Sequence, residues 1–275
     1  MEIEGPDELG FSRSACFFWA ANGGRHMDLG LAGKVAIVTG GSKGIGKAIA
    51  QELAGEGVDV AICARDRRVL EEAAKTLAAA TKRRIVPIVC DTTSTKSVQD
   101  LIESAVAQLG RVDILVNNAS TPGGVVTGPL ASADDELLLE DINTKVVGYM
   151  RCAKEAAPHM ARNGWGRIVN IGGLSGRRAG NISGLRNAAI VHLTKTLADQ
   201  LGQSGITVNL VHPGLTRTER SGAEDEKRGS SNAIRRIVDA KEIAQVVTFL
   251  ASTKAANITG VAIDASGGSI PVMFQ

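Results

Sequence analysis

The stretch Thr39-Gly40-Gly41-Ser42-Lys43-Gly44-Ile45-Gly46 decides the fold of this chain. A short apolar, β-branched run at residues 35–39 leads into it, and a helical pattern at residues 47–54 follows. Glycines let a backbone turn tightly and approach a ligand closely, and free N–H groups at a helix start attract anions. Because strand, turn and helix come in this order, the sequence predicts a phosphate cradle rather than a merely structural turn. The residues assigned to it are Gly40, Ser42, Lys43, Gly44, Ile45 and Gly46.

From residue 34 onward the chain alternates short β-branched runs with longer helical stretches. This alternation is typical of βαβ units that build a parallel sheet. The predicted strands are residues 35–39, 58–64, 85–91, 114–117, 167–171, 207–212 and 260–264. The sequence therefore predicts an α/β fold with a doubly wound, seven-stranded parallel sheet of the Rossmann type.

One domain, residues 27–275, is expected to hold all of these strands, because 275 residues suffice for one large core. Residues 1–26 do not continue the pattern. Their apolar run around Phe17 is too short to span a membrane and lacks the basic flank of a secretory signal. We interpret residues 1–26 as a poorly ordered N-terminal extension.

Composition favours a small-molecule ligand over a macromolecular one. With a formal net charge of +2 and interleaved acids and bases, nothing favours nucleic acid or a membrane surface as a partner. The four cysteines are scattered without Cys-x-x-Cys spacing, which is typical of reduced thiols in the cytoplasm. His159 and His212 show no metal-ligand spacing, so no metal site is predicted.

The spacing Gly40-x-x-x-Gly44-x-Gly46 resembles the short-chain dehydrogenase/reductase family, and the resemblance extends over about residues 28–270. It implies an oxidoreductase that binds a nicotinamide cofactor and forms a homodimer or homotetramer through helices around residues 134–160 and 183–201. Further motifs match in order. They are Asp91-Thr92 at the adenine, Asn118 and Ala119 in an Asn-Asn-Ala turn, Asn143 in a helix that supports proton relay, and Pro213-Gly214 with Thr218 over the nicotinamide.

The choice of nicotinamide cofactor depends on the end of the second predicted strand. An acid there commonly binds the ribose 2′-hydroxyl of NAD, whereas an arginine accommodates the 2′-phosphate of NADP. The chain has Ala64 and Arg65 at this point, and the resemblance implies that Lys43 adds a second positive charge. The sequence predicts NADP(H) as the preferred cofactor. Asp66 keeps NAD(H) open, as does the alternative that both cations are simply solvated.

The catalytic end departs from the family pattern. The resemblance implies a serine after the fifth strand, then a tyrosine with a lysine four residues later. The chain's one tyrosine, Tyr149, is followed four residues later by Ala153, so the sequence contains no Tyr-x-x-x-Lys pair. In the alignment that the resemblance implies, Gly173 takes the serine position, Ser183 the tyrosine position and Asn187 the lysine position.

A serine hydroxyl without a base does not readily exchange a proton near neutral pH, and general acid–base catalysis contributes roughly 10²- to 10⁴-fold. Ser175 could reach a substrate carbonyl in place of residue 173. The predicted catalytic residues are Asn143, Ser175, Ser183 and Asn187. For Arg177, Arg178 and Arg186, surface solvation and the binding of an anion or oxyanion both remain open.

Two functions compete. The first is an NADP(H)-dependent oxidoreductase that acts on a carbonyl, a hydroxyl or an activated double bond with non-standard proton transfer. The second is a nucleotide-binding pseudoenzyme that serves as a partner subunit or a cofactor-responsive regulator. A scaffold that binds no nucleotide is disfavoured, because the phosphate loop keeps all of its glycines. The substrate cannot be read from the loops at residues 120–132 and 214–232.

Overall fold

The computed structural model describes residues 27–177 and 180–270. Seven parallel strands form one sheet in the order β3-β2-β1-β4-β5-β6-β9, and a separate short pair joins β7 to β8. This confirms the predicted single-domain Rossmann-type fold. The strands are β1 Val35–Thr39, β2 Asp59–Ala64, β3 Ile85–Val89, β4 Ile114–Asn117, β5 Gly166–Ile171, β6 Ile206–Pro213, β7 Thr216–Arg217, β8 Val238–Asp239 and β9 Ala262–Ala265.

Helices cover both faces of the sheet, as a parallel sheet with buried strands requires. The helices are α1 Gly44–Gly55, α2 Arg67–Thr81, α3 Thr95–Leu109, α4 Asp135–Ile142, α5 Gly148–Arg162, α6 Gly184–Leu201, α7 Ala223–Gly229 and α8 Ala240–Ala251. Apolar residues of α1, α2 and α8 pack in one core layer, and those of α3, α5 and α6 pack in the opposite layer. The strand order reverses between β1 and β4, because β2 and β3 follow on one side of β1 and the later strands follow on the other side. A crevice therefore opens at the carboxyl ends of β1 and β4.

Several predicted strand ends were wrong by one or two residues. Strand β3 stops at Val89 rather than at Asp91, because the Asp91 carboxylate accepts hydrogen bonds from the N–H and hydroxyl of Thr93 in a tight turn. Strand β9 begins at Ala262 because Gly260 has a φ of +71°, which a strand does not accommodate. The pair β7–β8 was not predicted, since each strand has only two residues.

A π-helical turn, Asn143–Val147, joins α4 to α5. The resemblance had implied a long helix around residues 134–160, and the structure divides this stretch at the π turn. Such turns insert an extra residue into the helical repeat and occur frequently at functional sites. This turn lies beside the crevice, so it affects which side chains reach the candidate site.

Within residues 27–177 and 180–270, no helix combines the length and the apolar character needed to cross a membrane. The same residues contain no cluster of three or more His, Cys, Asp or Glu side chains suited to a metal ion. Cys63, Cys90 and Cys152 are buried free thiols. Cys16 and the predicted extension at residues 1–26 lie outside the described residues.

Candidate active site

One cleft of about 850 Å³ runs along the carboxyl ends of the strands. It reaches from Arg65 after β2, past the glycine loop, to Ser175 and Asn187 beyond β5. Of the residues assigned to the cofactor from sequence, all but Gly44 line this cleft. The structure therefore places both the predicted nucleotide residues and part of the predicted catalytic set in one continuous space.

The glycine loop is held in shape by the turn after β4. Gly40 has a φ of +66°, a left-handed conformation that favours glycine. The Asn118 side-chain amide donates to the carbonyl oxygens of Thr39, at 2.9 Å, and Gly40, at 3.2 Å. A side chain at Gly46 would overlap both the Gly40 carbonyl oxygen and this amide. The loop therefore requires glycine at these positions for close packing as well as for approach to a ligand.

The start of α1 fits an anion. Helix α1 has no side-chain cap and no acidic residue in its first turn, and its N-terminus carries a partial positive charge. Both carboxylate oxygens of Glu219 lie 3.1 Å from the Gly44 N–H. An anionic group of the chain itself therefore occupies the N-terminus of α1, the kind of position where phosphates bind in other proteins.

At the adenine end, the charged residues have distinct tasks. Asp66 caps α2 by accepting a hydrogen bond from the Val69 N–H at 3.0 Å. The Arg65 side chain is exposed at the cleft, and no ion pair or hydrogen bond engages it in the part of the chain that the structure describes. Burial alone would raise the pKa of Asp91, but hydrogen bonds from Thr93 and the charge of Arg65 lower it overall. Asp91 therefore stays ionised beside Arg65.

The other end of the cleft contains a connected set of polar side chains. Asn187, on α6, donates through its amide nitrogen to the Ser175 hydroxyl oxygen at 2.8 Å. Its amide oxygen accepts from Lys145 Nζ, also at 2.8 Å. Lys145 donates in addition to the Gly172 carbonyl oxygen at 2.9 Å. Asn187, placed at the family's lysine position by alignment, thus contacts a lysine that comes from a different helix.

Lys145 is only 2% exposed and lines the cleft. Burial lowers the pKa of its ammonium to about 7, and the nearby Arg186 charge adds to this effect, while Asp141 opposes it. A lysine with a pKa near neutrality can both donate and accept a proton at physiological pH.

The structure places two of the predicted catalytic residues, Asn143 and Ser183, outside the lining of the cleft. The Ser183 hydroxyl is buried and accepts hydrogen bonds from the N–H groups of Val125, at 3.1 Å, and Val126, at 2.9 Å. Asn143 accepts a hydrogen bond from Arg151 at 2.9 Å and lies away from the cleft. Ser183 anchors the loop after β4, and Asn143 anchors Arg151. Neither side chain lines the nucleotide cleft.

Sequence reasoning missed Lys145, although the helical pattern contained a signal for it. Lys145 precedes Tyr149 by four residues and Cys152 by seven, which places all three on one helix face, and all three are buried. Asn143 is two residues from Lys145 and so points to nearly the opposite face. A lysine at a position of the helix face that is otherwise apolar indicates that its charged group is buried, as Lys145 is.

Gly173 and Asn187 fit together at the alignment's serine position. A Cβ atom at Gly173 would lie 2.8 Å from the Asn187 amide nitrogen. The Gly173 N–H donates to His212 Nδ1 at 3.0 Å. Tyr149, the chain's one tyrosine, is buried. Its hydroxyl donates to the Ile171 carbonyl oxygen at 3.0 Å and so stabilises the end of β5.

The arginines near the site are paired rather than free. Arg177 forms an ion pair with Asp264 at 2.6 Å. Arg186 is buried, forms an ion pair with Asp141 and donates to the Thr121 carbonyl oxygen at 2.9 Å. Surface solvation therefore does not describe Arg186. Arg178 lies outside the described residues.

Comparisons with known proteins agree with this geometry. A family model described as Enoyl-(Acyl carrier protein) reductase matches residues 40–269. The 3-oxoacyl-(acyl-carrier-protein) reductase FabG of Escherichia coli (strain K12) is 35% identical over 245 residues, covering 86% of this chain and 97% of that protein. The short-chain reductase protein NovJ of Streptomyces niveus is 34% identical over 250 residues, covering 85% and 93% of the two chains.

A solved structure gives the same result. The crystal structure of L-sorbose reductase from Gluconobacter frateurii, complexed with NADPH and L-sorbose, superposes with a TM-score of 0.83 at 30% identity. The match covers 90% of this chain and 100% of that one. The chain belongs to the short-chain dehydrogenase/reductase family of oxidoreductases.

Proposed function

We propose that this protein is an NADP(H)-dependent reductase that acts on a carbonyl or an activated double bond with non-standard proton transfer. One observation carries the proposal. A single cleft joins the phosphate cradle and Arg65 to the hydrogen-bonded set Ser175, Asn187 and Lys145. The relatives named 3-oxoacyl-(acyl-carrier-protein) reductase and L-sorbose reductase favour a ketone substrate, with a 3-oxoacyl thioester as the first class to test.

NADP(H) is favoured over NAD(H) by the charges at the end of β2. Arg65 is available for a 2′-phosphate, whereas Asp66 is committed to the cap of α2. Lys43, exposed just before α1, is a second cation that lines the cleft. A carboxylate committed to a helix cap is a poor partner for a ribose 2′-hydroxyl, so the NADP preference rests on Arg65 and Lys43.

The protein's own groups then have separate tasks in the reaction. NADPH, when bound, supplies the hydride. The N–H groups at the start of α1 would bind its phosphates, and Pro213, Gly214 and Thr218 line the same cleft. Because Asn187 already donates to the Ser175 oxygen, the Ser175 hydroxyl proton is free to point at a substrate oxygen. Ser175 would thereby orient and polarise the carbonyl that Gly173 cannot contact.

A titration with NADPH and NADH in parallel, followed by nicotinamide fluorescence, tests the cofactor assignment. Mixing the NADPH complex with a 3-oxoacyl thioester or an α,β-unsaturated thioester then tests the reaction through loss of absorbance at the nicotinamide. We expect tighter binding of NADPH and its oxidation by the ketone substrate. Absence of binding to either nucleotide would overturn the proposal.

A second function is supported by the burial of Tyr149 and by the Glu219 carboxylate at Gly44. In that case the protein is a nucleotide-binding pseudoenzyme that serves as a partner subunit or cofactor-responsive regulator. It would bind NADPH without oxidising it in the presence of any substrate tested. The same pair of measurements therefore separates the two functions.

We also propose a homodimer or homotetramer in the cytoplasm. An apolar groove lies between α5 and α6, lined in part by Met150, Ala157, Leu197 and Leu201, and burial of apolar surface drives association. The three described cysteines are buried free thiols, which is consistent with a reducing compartment. Light scattering of the purified chain measures the mass, and a monomer would contradict the oligomer.

A further inference from the structure

Lys145 is the one buried cation that lines the cleft without a carboxylate partner among the described residues. Its two hydrogen-bond acceptors, the Gly172 carbonyl and the Asn187 amide oxygen, are both neutral. An ammonium has three N–H donors, and no third acceptor is present in the described part of the chain. One N–H is therefore left for a ligand in the cleft.

We propose that Lys145 is the acid–base residue of this site, donating a proton to the substrate oxygen during reduction. The inference rests on the proposed function and supplies the proton transfer that it leaves open. Asn187 is a positioning residue here: its amide links the Lys145 ammonium to the Ser175 hydroxyl, so both donors face the same part of the cleft. Lys145 on the π turn and Asn187 on α6 thus form one hydrogen-bonded pair.

The hydride and its electron pair pass from NADPH to the carbonyl carbon, and the π electrons of the carbonyl move to oxygen. That oxygen forms an O–H bond with the proton of Lys145, whose N–H bond breaks and leaves a neutral amine. Solvent returns a proton to the amine. In the reverse direction the neutral amine takes the proton from the alcohol.

The groups around Lys145 allow this cycle near neutral pH. From α6, Arg186 faces it as half of a buried ion pair with Asp141 of α4. From α5, the Tyr149 ring centre lies 6.0 Å from Lys145 Nζ. His212 of β6 also lies near enough for the Lys145 charge to lower the pKa of its imidazole, with Arg177 and Asp264 beyond it. No group in this set neutralises Lys145 by direct contact, so the amine is accessible to deprotonation.

The first test observes the lysine itself, without turnover. In cofactor-free protein labelled with 15N-lysine, NMR follows each Nζ signal against pH, and Lys145→Met identifies the signal of Lys145. We expect a midpoint near 7 for Lys145, whereas exposed lysines titrate near 10.4. A Lys145 signal that stays charged above pH 9 would overturn the acid–base role.

The second test uses two variants and a control. Lys145→Met is expected to slow NADPH oxidation by about 10²- to 10⁴-fold while changing NADPH affinity only slightly. Lys145→Arg keeps a cation but cannot release a proton at neutral pH, so it should remain equally slow. Lys75→Met, at an exposed lysine of α2, controls for the loss of a lysine. Thermal melting of each variant verifies that it is folded.

The pH profile gives the remaining readout. In wild-type protein the reduction rate should fall as pH rises through about 7, because the ammonium is the acid. The rate of alcohol oxidation should rise over the same range. Both inflections should disappear in Lys145→Met.

Failure of this inference differs from failure of the proposed function. If neither nucleotide binds, the proposed function falls. If the wild-type protein turns over but Lys145→Met keeps its rate and inflections, or Lys145→Arg restores the rate, the acid–base role falls and the reductase assignment stands. NADPH binding without turnover would also remove the acid–base role and favour the pseudoenzyme.

Discussion

One end of the cleft is formed mainly by backbone groups, and the other end is formed by side chains. At the phosphate end, contiguous backbone from β1 to α1 forms the cradle, and one side-chain amide, from Asn118, holds it. At the proton-transfer end, Lys145 of the π turn, Ser175 after β5 and Asn187 of α6 come together from distant parts of the chain.

This difference shows where the family pattern can change. A backbone cradle depends on a few glycines, and a side chain at Gly46 would overlap the loop itself. Side chains that share one space constrain one another, and an added Cβ at Gly173 would enter the space of the Asn187 amide. The comparison predicts that the proton-transfer end tolerates substitution only in coordinated sets, whereas the phosphate end tolerates no side chain at Gly46.

The largest expected effect concerns the histidine beneath the proton-transfer end. Burial lowers the pKa of His212 to about 4; the Asp264 carboxylate opposes this shift, and the charges of Arg177 and Lys145 add to it. Between about pH 6.5 and pH 4, the His212 imidazole binds a proton in the unfolded chain but not in the folded chain. The free energy of unfolding should therefore be fully maintained above pH 6.5 and fall by about 3 kcal/mol as the pH drops through this window.

Urea unfolding at several pH values measures this loss. His212→Asn keeps an acceptor for the Gly173 N–H but does not titrate, so its unfolding free energy should vary less with pH. His192→Asn, at an exposed histidine of α6, controls for the loss of an imidazole. An identical pH dependence in His212→Asn and wild type would show that His212 is not responsible.

The second prediction places a serine at residue 173, the serine position in the alignment that the resemblance implies. Gly173→Ser would bring its Cβ to 2.8 Å from the Asn187 amide nitrogen and push that side chain off Ser175. Overpacking of this kind costs about 1–3 kcal/mol, and we expect a lower melting temperature with no gain in NADPH oxidation. Gly202→Ser, where an added Cβ meets nothing within 4 Å, is the matched control. A faster enzyme with unchanged stability would contradict the coupling of Gly173 to Asn187.

The third prediction concerns the phosphate end. Arg65→Ala should weaken NADPH binding by about 10- to 100-fold, since a charged hydrogen bond contributes about 1.5–3 kcal/mol. NADH affinity should change little, because NADH carries no 2′-phosphate. Arg68→Ala, at an exposed arginine three residues later, is the control. Parallel fluorescence titrations measure both affinities, and equal losses for the two nucleotides would argue against 2′-phosphate recognition by Arg65.

The sequence predicted the phosphate end well because its information is local. The strand, the glycine turn and α1 follow one another, and β1 has the predicted bounds. The ends of β3 and β9 were wrong because a carboxylate turn at Asp91 and the positive φ of Gly260 depend on local geometry that hydrophobic periodicity does not contain.

The proton-transfer end was predicted poorly because its information is distributed. Ser183 matched the tyrosine position by alignment, but packing against Gly124 and two loop N–H groups turns it away from the cleft. Asn143 matched a family motif, yet the buried stripe through Tyr149 brings Lys145 to the cleft instead. Motif alignment alone indicates neither the loop packing around Ser183 nor the buried helix face that carries Lys145.

The smallest expected effect is that of removing the Glu219 charge, because this side chain occupies the N-terminus of α1 at the phosphate end. The Glu219 carboxylate lies on the Gly44 N–H that a phosphate would use, so nucleotide binding must displace it. An anion at a helix start contributes about 0.3–1 kcal/mol, so Glu219→Gln should raise NADPH affinity by about 2- to 5-fold, and more at low ionic strength than at high. Glu224→Gln, an exposed acid in α7, carries the same charge change away from the cradle. If Glu219→Gln lowers NADPH affinity instead, the loop after β6 binds with the nucleotide rather than against it, and this end of the cleft would depend on side chains as much as the other end does.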